Sequence, residues 1–269
     1  MLTILTYPPI FKGFLAVLAA SLAFPIAGVW IVRLNLLPYR FMLMHGALLG
    51  GALALVMKIS PLPAVILVNI LLVILADAMA NQGRMDAGLT SVFLMVTTLG
   101  AAMALIYGAG VPAQNALALL WGDVFAVSVP ELWATALFCL GLILFAVLYS
   151  PKISAVMFDR DLAFSAGVND KAVMRALLIA TALTVAFAMR IVGALLLDAL
   201  LLVPAITASV ISRSLKGLYI RSVIFGLILG VGGFIAALTT DIPVGAASAL
   251  TGAVLLGGAL LRRRYAAHH

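Results

Sequence analysis

Charged residues are scarce in this chain of 269 residues, because Asp, Glu, Lys and Arg make up only 9% of it. Ordinary soluble domains carry about 25%. The stretches 13–32, 87–122 and 132–151 contain no charged residue at all. Each is near or above the ~20 apolar residues that an α-helix needs to cross a ~30 Å hydrocarbon layer. The composition therefore excludes a soluble domain and predicts an all-α, polytopic transmembrane helical bundle in a lipid bilayer.

Cysteine is almost absent, since Cys139 is the only one in the chain. A lone cysteine excludes an intrachain disulfide framework. The chain also lacks a Walker A loop, a nucleophile elbow and an HExxH motif, so nothing in it predicts catalysis. The net charge of +7 would suggest a nucleic-acid partner for a soluble protein. In a membrane protein it indicates cationic cytoplasmic loops instead, and we expect no nucleic acid.

Apolar runs divide the chain into nine predicted spans, which form a single transmembrane domain over residues 1–269. The spans are predicted at about 13–32, 41–57, 62–80, 88–109, 132–149, 172–189, 192–210, 220–238 and 243–261. The connections between them are short, so a separate soluble domain has no place in the chain.

Lysine and arginine are distributed unevenly between the two sides of this bundle. With an outer N-terminus, thirteen of the sixteen fall in cytoplasmic connections, and Arg40 is counted among them. The reverse orientation would put thirteen outside, against the positive-inside rule. The sequence therefore predicts a multi-pass protein with a cytoplasmic C-terminus.

The connection at about 150–171 is the most polar part of the chain. A short helix is predicted over 161–166, with Gly167 as its left-handed terminator and Asn169 capping the next span. This cytoplasmic helix carries mixed charges between two spans, which suits it to docking in the groove of a partner.

Four ionisable residues lie within predicted spans or at their mouths. His45 is in span two, Asp77 is late in span three, Asp86 is at the mouth of span four, and Asp198 is in span seven. Charged groups are costly in a bilayer, so each is a candidate functional residue. For Asp77 and Asp86, the alternative is an interfacial carboxylate paired with the nearby Arg84.

Asp198 lies among apolar neighbours and has no cation near it along the chain. Its carboxylate must protonate or find a partner inside the bundle. His45 matches it chemically, because imidazole and carboxylate both bind divalent transition metals. Met42 and Met44 flank His45 as either soft ligands or packing residues. A purely structural His45, bonded to a backbone carbonyl, is the alternative.

Small residues and helix breakers point to close packing around spans two and seven. Span two contains Gly46, Ala47, Gly50 and Gly51, which predict a face that another helix approaches closely. Gly193 and Pro204 predict an interruption of span seven. Broken helices are tolerated at membrane depth only where protein or a cavity receives the freed backbone groups. These patterns predict a central pathway lined by spans two and seven.

Several stretches resemble one family. In order, 158–250 contains FDRDLAFSAGVN, MRIVGALLLDALLLVPAITASVISRS and DIPVGAASAL. This order resembles the membrane subunits of bacterial ABC importers for zinc, manganese and iron(II). Upstream, GRMDAGLTSVF at 83–93 and LLWGDVFAVS at 119–128 are similar to two further blocks of that family.

The resemblance implies a homodimeric permease of the bacterial inner membrane without its own ATPase site. Cytoplasmic ABC ATPase subunits would bind the ATP, and an extracytoplasmic solute-binding protein would deliver the cargo. That cargo would be a divalent transition metal ion, with no permanently bound cofactor. The short helix at about 159–167 would be the coupling helix to the ATPase. The residues assigned to it are Asp159, Arg160, Asp161, Ala163 and Gly167.

Span two departs from the family pattern, which typically places a carboxylate four residues before a histidine. That spacing puts both ligands on one helix face. His45 fits the histidine, but Phe41 stands where the carboxylate is expected, whereas Asp198 stands where the family usually has a small polar residue. We therefore expect a relocated site shared by His45 and Asp198. From the predicted span limits, their depths differ by roughly 10 Å at a rise of 1.5 Å per residue.

Two other functions fit the sequence. The same ABC architecture could carry a metal chelate or a small organic substrate. From a different class, a proton-driven secondary transporter could use Asp198 and His45 without any ATPase. The sequence does not select among zinc, manganese and iron(II), because their preferred ligands overlap.

Overall fold

The computed structural model describes residues 7–81, 86–112 and 124–267. Its α-helices are α1 (Pro8–Arg33), α2 (Leu37–Met57), α3 (Pro61–Asn81), α4 (Ala87–Gly108), α5 (Val129–Leu148), α6 (Ser150–Phe158), α7 (Arg160–Ser165), α8 (Asp170–Ile191), α9 (Gly193–Leu201), α10 (Val203–Ile211), α11 (Leu215–Thr240) and α12 (Val244–Ala267). A 3-10 turn at Val124–Ala126 precedes α5.

Within the described ranges, nine helical segments are long and apolar enough to cross a membrane, and α9 with α10 counts as one of them. This confirms the predicted all-α bundle and its number of spans. One difference from the predicted span limits affects the site. Helix α2 begins at Leu37, whereas the second span was predicted to begin at 41. Pro38 stands in its first turn, where a residue without an N–H group costs no helical hydrogen bond.

Helix α1 forms the centre of the bundle and packs against α5, α8, α9, α10 and α11. Small side chains at Ala16, Ala20, Ala23 and Ala27 are fully or almost fully buried. Their spacing of three or four residues keeps one face of α1 narrow, so neighbouring backbones approach closely. Trp30 adds a hydrogen bond from its Nε1 to the Tyr219 hydroxyl of α11, at 2.8 Å.

The predicted glycine face of α2 is present and receives α3. A Cβ atom built on Gly50 would lie 2.6 Å from the Cα of Val65, and one on Gly46 would lie 2.7 Å from Asn69 Oδ1. A side chain at position 50 would require a shift of the α3 backbone, whereas one at position 46 would displace the side chains of Leu72 and Asn69. Gly46 and Gly50 therefore fix how closely the two helices pack.

Span seven is interrupted at Leu202, between α9 and α10. Pro204 lies in the first turn of α10, and the Leu201 carbonyl at the break packs directly against Gly28 of α1. Gly193 begins α9 with a φ of +74°, a conformation that side chains other than glycine rarely adopt. The broken backbone thus faces protein rather than lipid, as the hydrocarbon interior requires.

The polar connection after α5 contains two short helices. The helix predicted over 161–166 is α7, which begins at Arg160, and α6 before it was not predicted. Asp159 caps α7 by accepting hydrogen bonds from the Asp161 and Leu162 amides, both at 2.9 Å. Gly167 has a φ of +81°, and Asn169 caps α8 through the Ala172 amide at 3.0 Å.

We predict that Gly28→Ala destabilises the protein by about 1–3 kcal/mol, the usual cost of overpacking a core. The new methyl group would collide with the Leu201 carbonyl, a backbone atom that cannot rotate away. The measurement is the free energy of unfolding in mixed micelles titrated with a denaturing detergent.

Gly100→Ala in α4 is the matched control, because nothing lies within 4 Å of the Cβ position there. It should stabilise the helix by roughly 0.5–1 kcal/mol. Equal effects of the two substitutions would contradict the close approach of α1 and the break.

Candidate functional site

Two membrane-spanning segments, α2 and the α9–α10 pair, keep one side uncovered within the protomer. The side chains concerned are Leu37, Phe41, Met44 and His45 of α2, and Leu195, Asp198, Leu202 and Ile206 of α9 and α10. They recur every three or four residues, so each set forms a stripe along its helix. We call the two stripes together the uncovered face. An imidazole and a carboxylate within it make lipid an unfavourable neighbour.

Asp198 has a charged partner that the sequence did not reveal. The Arg40 guanidinium forms an ion pair with Asp198 Oδ1. The Arg40 side chain is 1% exposed, whereas that of Asp198 is 45% exposed. Arg40 was counted in a cytoplasmic connection, and this placement was wrong, because α2 begins before it and draws it into the bundle. Helix packing supplies the cation that the chain around Asp198 lacks.

The guanidinium of Arg40 also contacts two residues of the α2 stripe. Its carbon lies 4.7 Å from the centre of the Phe41 ring, and Nη2 lies 3.9 Å from Met44 Sδ. A cation over an aromatic face in a poorly solvated place gains up to about 2 kcal/mol. Phe41, which stands where a carboxylate was expected, therefore supports Arg40. Asp198, Arg40 and Phe41 form one connected group across both stripes.

His45 Nδ1 lies 2.8 Å from the Phe41 carbonyl oxygen, one helical turn earlier. A carbonyl oxygen only accepts, so Nδ1 carries the proton and Nε2 of the neutral ring keeps its lone pair. A carbonyl that orients the ring in this way is the usual outer partner of a metal-binding histidine. The bond therefore fits the purely structural role and leaves Nε2 available as a ligand.

The depths of His45 and Asp198 can be compared from the packing. His45 lies about 12 Å along α2 from Leu37, at 1.5 Å per residue. The Leu201 carbonyl packs on Gly28, about 7.5 Å from the Arg33 end of α1, and Asp198 is three residues or about 4.5 Å farther. Each residue is therefore about 12 Å from the end of its reference helix, and no hydrogen bond or ion pair joins the two among the described residues.

The other predicted pathway residues lie elsewhere. Met42 is fully buried in the protomer core, away from the uncovered face. Asp77 of α3 accepts a hydrogen bond from Arg175 Nε of α8 at 2.7 Å. Asp86 caps α4 by accepting from the Gly88 amide at 3.0 Å. Arg84, the expected partner of both carboxylates, lies outside the described residues.

The predicted coupling residues are held firmly at one end of the bundle. Arg160 Nη2 pairs with Asp170 Oδ2 at 2.9 Å, which ties α7 to the first turn of α8. Ala163 is buried, so one side of α7 is anchored. The exposed side chains of Phe158, Leu162 and Phe164 were not predicted. The sequence could have predicted this exposed apolar surface, because these residues lie between charged residues in a polar connection.

No three His, Cys, Asp or Glu side chains cluster closely enough to hold a metal ion within the part of the protomer that the structure describes. A transition metal takes four or more ligands. The described His, Cys, Asp and Glu side chains of one protomer therefore do not complete a metal site at the uncovered face. Further ligands must come from other groups or from another molecule.

The chain was compared with known proteins. A model of the ABC 3 transport family matches residues 6–262. The high-affinity zinc uptake system membrane protein ZnuB of Haemophilus influenzae is 27% identical over 260 residues, which cover 94% of this chain and 97% of the relative. The manganese import system permease protein ScaB of Streptococcus parasanguinis is 26% identical over 212 residues, with 78% and 75% covered.

The fold is also that of a solved structure, PsaBC from Streptococcus pneumoniae in complex with Fab. The TM-score is 0.84 at 20% sequence identity, and the match covers 95% of this chain and 92% of the other.

We predict that Asp198→Asn destabilises the protein by about 3 kcal/mol, because Arg40 then stays buried without a counter-charge. The double variant Arg40→Met/Asp198→Asn should recover most of that loss, since no charge remains. Free energies of unfolding of the two single variants and the double variant give the coupling between the residues. Additive losses would contradict the ion pair.

Proposed function

Since this chain belongs to the ABC 3 transport family, we propose that it is the permease subunit of an ABC importer for a divalent transition metal ion. The cargo belongs to the zinc, manganese or iron(II) class, and it passes into the cytoplasm through the bacterial inner membrane. Two supports are independent of each other. The relatives import zinc or manganese by name, and the half-exposed side chain of Asp198 lies on the uncovered face of a membrane-spanning segment.

The pathway runs along the uncovered face, against a second copy of the chain. One protomer offers one carboxylate and one imidazole there, and two copies double both. Two Asp198 and two His45 side chains would provide four ligands of the types that zinc, manganese and iron accept. A second copy also covers the polar stripe that lipid would cover only at high cost.

Arg40 makes the cation site transient. The Arg40–Asp198 pair is neutral, so the empty pathway holds no uncompensated charge. An arriving divalent ion competes with the guanidinium for the negative charge of Asp198, and the pair re-forms when the ion leaves. A pathway must bind its ion well enough to admit it and weakly enough to release it. A tethered competitor provides that balance.

The end of the bundle that carries α6 and α7 is the cytoplasmic end. Without Arg40, twelve lysines and arginines of the sequence belong to this side, so the positive-inside rule still favours an outer N-terminus. The ATPase subunit, which binds and hydrolyses ATP, docks on α7. The Arg160–Asp170 pair passes movement of α7 to α8, which packs against α1, α2 and α3. A solute-binding protein delivers the ion on the other side.

A proton-driven carrier is not favoured, because the family match spans nearly the whole chain. A metal-chelate cargo is not favoured either, because the curated relatives reported above are named for zinc and manganese.

We predict that the neutral double variant Arg40→Met/Asp198→Asn loses metal uptake although it folds. The loss of uptake should be at least about tenfold, because even residues that only hydrogen-bond to a metal ligand change metal affinity or activity by that factor when they are replaced. His45→Ala should lose uptake similarly. The measurement is the uptake of radioactive zinc or manganese by cells in which the variant replaces the natural chain.

The matched control is Glu131→Gln/Arg190→Met, which removes another interhelical ion pair, between α5 and α8, of 2.7 Å. It should keep uptake near the natural rate. Normal uptake by both the Arg40/Asp198 double variant and His45→Ala would refute the proposed cation site, whatever the stability of the proteins.

We predict that Leu162→Ala/Phe164→Ala weakens the ATPase contact, because both side chains are exposed on α7 and support no core packing. Co-purification of the ATPase should fall at least about tenfold, as expected when two apolar anchors of an interface are removed. The control is Leu137→Ala in the middle of α5, where the leucine side chain is about as exposed as that of Phe164. Unchanged co-purification for the α7 variant would show that the ATPase docks elsewhere.

A further inference from the structure

A basic cavity of about 530 Å³ lies where the end of α10 meets the first turns of α11 and the last turns of α12. Its polar lining consists of Ser209, Ser212, Arg213, Arg221, Arg262 and Arg263. A second cavity of about 220 Å³ shares Ser209, Ser212 and Arg213 and adds Arg33. Neither Asp198 nor His45 lines these two cavities, so they are separate from the proposed cation site.

Among the described residues, no acidic side chain neutralises the positive charge of this cavity. No carboxylate lines either cavity. In the described part of the chain, the ion-paired carboxylates Asp77, Glu131, Asp170 and Asp198 all bind other arginines. Four arginines facing one space repel each other unless an anion sits between them.

One of the four arginines has a structural role as well. Arg221 donates hydrogen bonds to the Ile211 carbonyl and to the Ser212 hydroxyl, so it caps the end of α10. Arg213, Arg262 and Arg263 form no ion pair among the described residues and present their guanidinium groups at the surface. Guanidinium groups and serine hydroxyls are the donors that proteins use for phosphate oxygens.

The surface next to the cavity is apolar on the membrane side. On α11, Ile224 and Ile228 follow Arg221 at intervals of one turn and are about half exposed. On α12, the exposed Leu260 and Leu261 directly precede Arg262. Both helices therefore change from exposed aliphatic residues to arginine at the same end, and they pack against each other. This order matches a phospholipid, with acyl chains beside the aliphatic residues and the phosphate at the arginines.

We propose that this cavity binds the phosphate of an anionic phospholipid from the leaflet at this end of the bundle. The aliphatic surface beneath it favours a lipid over a soluble phosphate, which has no acyl chain to bury. It also favours a lipid over a cytoplasmic protein partner, because such a partner would leave the exposed aliphatic residues Ile224, Ile228 and Leu261 on the membrane side uncovered. The bound lipid bridges α10, the second half of the broken span, to α11 and α12.

The test is titration of the purified full-length chain with phosphatidylglycerol or phosphatidylcholine, followed by native mass spectrometry. Phosphatidylglycerol should bind more tightly, because its headgroup carries a net negative charge. The variant Arg262→Gln/Arg263→Gln should bind it roughly 25-fold more weakly, at about fivefold for each arginine at headgroup depth. The charge-conserving Arg262→Lys/Arg263→Lys should lose less affinity than the glutamine variant but more than Arg264→Gln, because it keeps the charge and loses the guanidinium geometry.

Arg264→Gln is the matched control, because Arg264 belongs to the same basic run but lines neither cavity. It should change binding less than about twofold, since charge outside the site acts only through screened solvent. If Arg264→Gln weakened phosphatidylglycerol binding as much as Arg262→Gln/Arg263→Gln, the attraction would be a diffuse effect of basic charge, and the proposed site would be wrong.

Two further outcomes would also overturn the proposal. If inorganic phosphate displaces phosphatidylglycerol and binds as tightly by itself, the site serves a soluble anion. If Arg262→Gln/Arg263→Gln keeps lipid binding but loses co-purification of the ATPase, the cavity serves that protein.

Discussion

The ion pair between Arg40 and Asp198 is the constraint on which the site depends. A buried guanidinium in a bilayer is tolerated only with a counter-charge, and Asp198 is the carboxylate that the helix packing brings to it. The ion pair links α2 to α9, and it connects the two uncovered stripes. It also leaves the Asp198 side chain 45% exposed, although Oδ1 is buried against Arg40, so an ion in the pathway can reach the side chain. One interaction thus serves stability and cargo binding.

The packing of the other helices brings Arg40 and Asp198 close enough to form the ion pair. The break at Leu202 places the Leu201 carbonyl against Gly28, where the absence of a side chain admits it. The same packing places Asp198 where Arg40 of α2 can reach it. On the other side of α2, Gly46 and Gly50 hold α3 so closely that the helix cannot rotate its polar stripe away. Backbone contact at small residues therefore determines where the polar side chains point.

The sequence was sufficient for the number of spans, for the interruption near Pro204 and for the short helix at α7. Each depends on local properties: length of apolar runs, missing N–H groups and capping side chains. It was not sufficient for the partner of Asp198, because that partner is 158 positions away and was assigned to a loop. Pro38 was the local signal that α2 begins earlier and takes Arg40 into the membrane. Phe41 acquires its role only through Arg40, so no pattern along the chain could reveal it.

The most direct test of the cation site is the ligand environment of the cargo itself. X-ray absorption at the metal edge can be recorded on the assembled transporter loaded with zinc or manganese, for the natural chain and for Arg40→Met/Asp198→Asn. We expect imidazole nitrogen and carboxylate oxygen around the metal in the natural chain, and loss of the carboxylate contribution in the variant. An identical set of ligands in both proteins would contradict the account.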